Sequence, residues 1–492
     1  MSQNISVAVI GAGISGMAAA IELSAQGHRV RVYEKNASFG GRGRVIEKDG
    51  FLFDMGPSWY WMPDVFENFL NAYGKSVTQY FQLVRLDPSF RIFGHDEVLD
   101  VPAGRQACLK LFEQREPGSS KFLDRFLQEA KYKYDTGMGD FVRKPSLSWS
   151  EFLDWRLIRS VFKLEMFSSL EKVVHRGVHD ELLRQWLCFP VLFLGAKPSH
   201  TPALYSLMNY AEIELGTWYP MGGMAHLFKA LYDLALEQGV QFEFNAAVSK
   251  IVVKDQKACG VISNGQAFSF DAVISSADYH HTEQCLLDPA HRQYSESYWE
   301  SRVMAPSSLV FYVGVDRKVD GLLHHNLFFD ESFDEHARSI YDHAAWPSGP
   351  LFYVCAPSKT DPGVAPQGME NLFILIPLAA GLKDDESERE KLFEQVLRRI
   401  QARTGVDLRP HVVIKMEMGP RDFENTYNSF KGNAYGLANT LRQTAMFKPR
   451  LKHKTVDRLF FAGQLSHPGP GLPPSLISGQ ISARLVQQHF SL

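Results

Sequence analysis

A chain of 492 residues, 45% hydrophobic and 22% charged, is long enough for two to four domains at ~100–200 residues each, and can fold without disulfide support. Its net charge of -3, with Lys and Arg dispersed along the chain, offers no basic face for nucleic acid. The five cysteines, Cys108, Cys188, Cys259, Cys285 and Cys355, show no CxxC or Cys/His ligand spacing, so they read as reduced core thiols and no metal site is expected.

The chain opens Met1-Ser2-Gln3-Asn4 and passes at once into a β-rich run, Ile5–Ile10, without the charged, apolar and cleavage segments of a secretory signal. A cytoplasmic location is the expectation. Gly11-Ala12-Gly13-Ile14-Ser15-Gly16 follows, then a helical stretch of small residues, Ser15–Gln26, and a second strand, Arg29–Tyr33. A GxGxxG placed between a strand and a helix has a mechanism. Gly11 permits the tight turn, Gly13 lets backbone approach a pyrophosphate, Gly16 permits close helix–strand packing, and the helix N-terminus offers free N–H groups. Glu34 ends the second strand, where a carboxylate can accept hydrogen bonds from both ribose hydroxyls and would repel a 2′-phosphate. These features predict dinucleotide binding and leave NAD and FAD both open.

Phe39-Gly40-Gly41-Arg42-Gly43-Arg44 pairs adjacent glycines with a guanidinium and can wrap a second face of a diphosphate. Gly50-Phe51-Leu52-Phe53-Asp54-Met55-Gly56-Pro57-Ser58 ends in a turn able to bring bare backbone against a flat ligand. Trp59, Tyr60 and Trp61 come next and are expected to line a core or pocket.

From about 110 to 212 the β signal fades and helical periodicity takes over, as in Phe152, Trp155, Leu157, Ile158, Phe162 and Met166. The longest nearly apolar run, Trp186–Ala196, contains Pro190 and is shorter than the ~20 residues that span a bilayer. Strand signals return in Gln241–Phe244, Ser249–Val253 and Ala272–Ser275, then in Leu309–Val315 and Leu372–Ile376, which predict a mostly antiparallel sheet. The chain closes with a strand, Arg458–Ala462, a Gly/Pro-rich turn and a helix from about Leu476 to Gln488. Because dinucleotide-type elements stand at both ends, the domain they form is expected to be discontinuous.

These motifs resemble, over nearly the whole chain, the bacterial-type phytoene desaturases of the FAD-dependent amine oxidase-like flavoproteins. The N-terminal loop with Gly40-Gly41 and the turn at Asp54–Ser58 are similar to that family's segments. The most specific match is Leu459-Phe460-Phe461-Ala462-Gly463-Gln464-Leu465-Ser466-His467-Pro468-Gly469-Pro470-Gly471-Leu472-Pro473-Pro474-Ser475, which resembles its second flavin signature. Gly216–Met224, Asn245–Val248 and Ala356–Pro366 extend the likeness. Two positions depart from the pattern: Gln464 stands where relatives often carry an acidic or small residue, and Met221 where many carry Arg.

The resemblance implies an α/β fold with a Rossmann-like FAD-binding domain, a mixed-sheet substrate domain and a helical cap. The expected divisions are 1–75, 213–295 and 416–492 for FAD, 76–110 and 296–415 for substrate, and 111–212 for the cap. It implies FAD as cofactor, held by Gly11, Ala12, Gly13, Ser15, Gly16, Glu34, Lys35, Gly41, Arg42, Gly56, Pro57, Ser58, Val248, Gly463, Gly471 and Leu472. His467 reads as structural or flavin-adjacent, and no catalytic base is assigned.

By the same resemblance the activity is desaturation of a C40 polyene, phytoene, towards neurosporene or lycopene, with oxygen or a quinone as terminal acceptor. Related readings are a hydroxycarotenoid 3,4-desaturase, a ketolase or an isomerase. An amine oxidase is a further alternative, although the chain has no cysteine after Cys355 to hold a flavin covalently. A polyene of this size calls for an apolar tunnel opening at a membrane. The basic and aromatic stretch Trp155–Lys163 is a candidate for peripheral contact, against the plain reading of a cap helix with one solvated face.

Overall fold

The computed structural model describes residues 4–146, 168–194, 197–440 and 443–491. Its first layer is a parallel sheet of five strands, ordered Leu459–Phe461, Ala272–Ser275, Ser6–Ile10, Arg29–Tyr33 and Gln241–Glu243. One sheet therefore draws strands from both ends and the middle of the chain.

A parallel sheet must be covered on both faces, so its strands Ser6–Ile10, Ala272–Ser275 and Leu459–Phe461 are almost wholly buried, while Arg29 and Gln241–Glu243 reach the surface towards the other edge. Val7, Val9, Val30 and Val32 point into one core, whereas Ala8, Ile10 and Tyr33 point into another. The helices Ile14–Ser24, Ala225–Glu237 and Leu472–Phe490 contribute Ile21, Leu231 and Ile481 to the first core. An antiparallel meander, Val248–Lys254, Lys257–Ser263 and Gln266–Ser269, contributes Ile251 and Val261 to the second.

The second layer is a seven-stranded sheet, ordered Val412–Met418, Ser307–Val315, Glu370–Leu378, Phe352–Cys355, His325–Phe328, Phe90–Phe93 and Val98–Val101. All its pairings are antiparallel except that of His325–Phe328 with Phe90–Phe93. Alternation along Ser307–Val315 sends Leu309, Phe311 and Val313 against Leu392, Phe393, Val396 and Ile400, a stripe at helical spacing on the helix Glu386–Thr404. Asp385 caps that helix by accepting from Ser387 N at 2.8 Å, and Gly405 ends it at φ 75°. Val310 and Tyr312 face the other way, with Tyr353 and Phe373. That face forms one wall of the central cavity.

Residues between the two sheets in sequence are mainly helical, with Arg105–Arg115, Ser119–Thr136, Leu170–Gly177 and Glu181–Cys188 among them. Helix starts at Arg105, ahead of the zone read from the sequence, and the strand Val412–Met418 runs across the division drawn at 415/416. The apolar run from Trp186 is split between the helix Glu181–Cys188 and a 3₁₀ segment, Phe189–Leu194. Among the described residues no helix is long and apolar enough to cross a membrane. The candidate segment Trp155–Lys163 lies outside the described residues. Of the cysteines, Cys108 and Cys355 are buried, but Cys285 is exposed, so the reading of all five as core thiols is corrected there.

Candidate cofactor and substrate cavity

A cavity of about 680 Å³ runs from the C-terminal ends of the parallel strands to the inner face of the larger sheet. Its polar end begins at Gly11, where φ is +100° and a Cβ would stand 2.9 Å from Ser276 Oγ. Gly16 packs still more tightly, since its Cβ would lie 2.1 Å from Gly11 O. Gly13 is different: among the described residues nothing lies within 4 Å of the Cβ it lacks. No side chain caps the helix that starts there, so its first N–H groups face the cavity without a side-chain acceptor.

Glu34 is buried beside this turn. Its Oε2 accepts from Ala12 N at 2.9 Å, and its Oε1 accepts from Asn36 N at 2.9 Å and Asn36 Nδ2 at 2.7 Å. Ala12 and Gly16, expected at the cofactor, are not on the cavity wall: Ala12 is fully buried and tethered to Glu34, and Gly16 is pressed against Gly11. The other fourteen expected residues all line the cavity.

Gly41 backs onto Gly13, its missing Cβ 3.2 Å from Gly13 Cα, so the two loops meet through glycines. Next to it, Arg42 lies over the Tyr427 ring at 5.1 Å and donates from Nη2 to Ser429 Oγ and Asn433 O. Burial draws its pKa below the ordinary value, and its Nε has no partner among the described residues. A desolvated guanidinium with an unused donor suits an anion. Lys35 bridges to the chain end of the helix Pro420–Tyr427, donating to Asn425 O at 2.8 Å and Asn428 Oδ1 at 3.1 Å. Tyr427, Ser429 and Asn433 carry no local motif, and their place beside Arg42 was not legible in the sequence.

Opposite, Gly56 sits against Arg42 O, where a Cβ would approach to 2.7 Å, and Tyr312 OH donates to Met55 O at 2.7 Å. Val248 lines the same end from the meander. At the chain terminus Gly463 takes φ +117° and Gly471 φ +105°, and the last helix begins at Leu472, earlier than expected. Pro473 and Pro474 open that helix, where a missing N–H costs nothing. Gly479 brings it onto the first helix, since its Cβ would meet Ser15 O at 2.2 Å. His467 is not on the cavity wall; its Nε2 donates to Val142 O at 3.0 Å, and burial lowers its pKa to about 4.

The other end of the cavity is apolar, walled by Trp59, Phe189, Leu327, Phe329, Ile340 and Leu375. Glu34, Lys35, Arg42 and Asp278 all belong to the polar end. Within the apolar end, His336 accepts from Leu351 N on Nδ1 at 2.9 Å and donates from Nε2 to Pro377 O at 2.9 Å, so neither nitrogen is available for proton exchange.

The profile of the flavin containing amine oxidoreductase family matches residues 14–487. Over 482 residues the chain is 39% identical to a carotenoid 3,4-desaturase of Haloarcula japonica, with 98% of this chain and 97% of that one covered. It is 32% identical over 495 residues to a zeta-carotene-forming phytoene desaturase of Myxococcus xanthus, covering 99% and 94%. Among solved structures, cyclohexylamine oxidase from Brevibacterium oxydans matches 100% of both chains with a TM-score of 0.62 at 16% identity, a likeness of fold.

The chain thus belongs to the flavin-containing amine oxidoreductase family and is an FAD-dependent oxidoreductase. Within that family it is one of the carotenoid desaturases, enzymes acting on CH–CH bonds. The polar end fits the cofactor on three counts: the open space before Gly13, the uncapped helix and the unpartnered Arg42 Nε.

Proposed function

We propose that this enzyme introduces double bonds into phytoene, a C40 polyene, carrying it towards neurosporene or lycopene. The observation that carries this reading is one cavity with a polar, glycine-lined end and an apolar end whose walls present no Asp, Glu, Lys or Arg among the described residues. A hydrocarbon has no charge to pair and gains most from walls that carry none, since a buried carboxylate or ammonium would have to stay desolvated against it.

In this reading Glu34 takes the ribose hydroxyls, Arg42 and the N–H groups after Gly13 take the diphosphate, Val248 meets adenine, and Gly56–Ser58 with Gly463–Leu472 flank the ring system. When bound, FAD supplies the acceptor for the hydride leaving the substrate, and reoxidation falls to oxygen or a quinone. Trp59, Phe189, Leu327 and Ile340 hold the polyene in line with that ring system and exclude water.

The 39% identity to a carotenoid 3,4-desaturase supports a second reading, in which the substrate is already desaturated and the new bond forms at the 3,4 position. Expression in cells that accumulate phytoene, and separately in cells that accumulate lycopene, distinguishes the two. Neurosporene or lycopene made from phytoene supports the first; unchanged phytoene with a 3,4-desaturated product from lycopene supports the second.

We further propose that the enzyme works at the cytoplasmic face of a membrane, since a C40 hydrocarbon has negligible concentration in water. Replacing Leu157 and Ile158 with Asp should then lower both liposome cosedimentation and turnover with flavin content intact. Full activity without lipid or detergent would sink the delivery idea.

A further inference from the structure

Behind the apolar wall, three side chains of metal-binding type converge. His325 opens the strand His325–Phe328, His324 precedes it, and Cys355 ends the neighbouring strand, directly across from His325 in the register. One nitrogen of each imidazole and Cys355 Sγ lie within 4.8 Å of one another. The residues are 5%, 0% and 4% exposed in the order His324, His325, Cys355.

A hydroxyl group lies against Nδ1 of each ring. His324 Nδ1 is 2.7 Å from Thr360 Oγ1, and His325 Nδ1 is 2.6 Å from Tyr353 OH. Each Nε2 is buried and has no hydrogen-bond partner among the described residues. Buried ring nitrogens normally find partners, and a metal-binding histidine typically commits one nitrogen to an orienting hydrogen bond while the other faces the ion. Packing restrains the rings as well: Trp59 stacks on His325 at 3.9 Å and 14°, and Tyr219 meets His324 edge-on at 4.6 Å.

The donor set selects the ion. A thiolate with two neutral imidazoles carries one negative charge, so a monovalent ion gives a neutral complex, whereas a divalent ion leaves a positive charge in dry surroundings. Soft sulfur and imidazole donors favour Cu⁺. A tetrahedral ion such as Zn²⁺ needs a fourth ligand, which this group does not contain among the described residues. The nearby Asp54 carboxylate is already engaged, accepting from Met224 N at 2.8 Å and Ala225 N at 3.0 Å.

We propose that His324, His325 and Cys355 form a buried, three-coordinate site for Cu⁺. Binding exchanges the Cys355 S–H bond for an S–Cu bond, releases that proton to solvent and leaves the copper oxidation state unchanged. The ligands draw together from their present spacing onto the ion.

The test is anaerobic titration of the flavin-loaded protein with Cu⁺ buffered by bicinchoninate, followed by desalting and metal analysis. One copper per chain is expected for the wild type and for Cys285→Ser. Affinity should fall at least about tenfold in Cys355→Ser and in His325→Gln, each checked for unchanged flavin content and circular dichroism. If Cys355→Ser does not fold, His324→Gln takes its place. X-ray absorption at the copper edge should show one sulfur and two nitrogen neighbours. No copper in the wild type, equal affinity in the ligand variants, or tighter retention of Zn²⁺ than of Cu⁺ would overturn the proposal.

Discussion

Glu34 Oε2 accepts a hydrogen bond from Ala12 N at 2.9 Å, tying the end of the second parallel strand to the glycine turn after the first. The carboxylate that is proposed to receive the ribose therefore also fixes the loop that receives the diphosphate. Glu34→Ala should weaken flavin retention by about 1.5–3 kcal/mol, the worth of a charge-assisted hydrogen bond, and Glu34→Gln by less. The flavin-to-protein absorbance ratio after dialysis reports this. Full retention in both variants would remove Glu34 from the site.

Two glycines of one motif should fail in different ways. Gly16→Ala drives a methyl into Gly11 O, so the apoprotein itself should lose about 1–3 kcal/mol of stability. Gly13→Ala meets no protein atom and has φ -78°, a conformation open to alanine. Its apoprotein should melt within about 1 kcal/mol of wild type, yet it should bind FAD poorly because the methyl enters the diphosphate's space. Thermal melts with and without added FAD separate the two effects.

A buried acid should make stability depend on pH. Glu212 accepts from Trp186 Nε1 at 3.1 Å on one oxygen and has no partner on the other among the described residues, and burial pushes its pKa from 4.5 to about 8. The folded chain keeps a proton that the unfolded chain loses, so this group's contribution falls as pH rises from 4.5 to about 8, by about 1.4 kcal/mol per unit. Glu212→Gln keeps the shape without the titration. Its Tm advantage over wild type should grow between about pH 5 and pH 8, whereas parallel curves would mean that Glu212 is ionised without penalty.

The apolar end of the cavity should be separable from the cofactor end. Ile340 lies half-buried on the helix Phe333–Tyr341 and lines that end, so it can carry a charge without entering the protein core. Ile340→Asp should retain flavin but lower turnover roughly 10–100-fold, since a hydrocarbon must then desolvate a carboxylate at a cost of about 1–3 kcal/mol. Unchanged turnover would put the polyene elsewhere.

The parts of the site read from the sequence are those whose chemistry is local. Gly11, Gly13 and Glu34 lie on one strand–turn–helix–strand unit, and Gly463 and Gly471 on one turn, so spacing alone carries their geometry. What escaped depends on tertiary register. Gly479 is one glycine in a helix until that helix is laid against Ser15, and Arg42 meets Ser429 and Asn433 only after the chain has crossed the second sheet. The prolines after Gly471 read as breakers, although at the first turn of a helix they are compatible with it. Likewise, Cys355 has no ligand spacing to any histidine in sequence; strand pairing puts it across from His325.

A flavin site continuous with a polyene chamber can be followed by anaerobic mixing of the FAD-loaded enzyme with phytoene-bearing liposomes in a spectrophotometer. Oxidised-flavin absorbance should fall in step with the rise of longer-wavelength polyene bands. Flavin that stays oxidised over unchanged phytoene and over lycopene, but is reduced by an alkylamine, would contradict it.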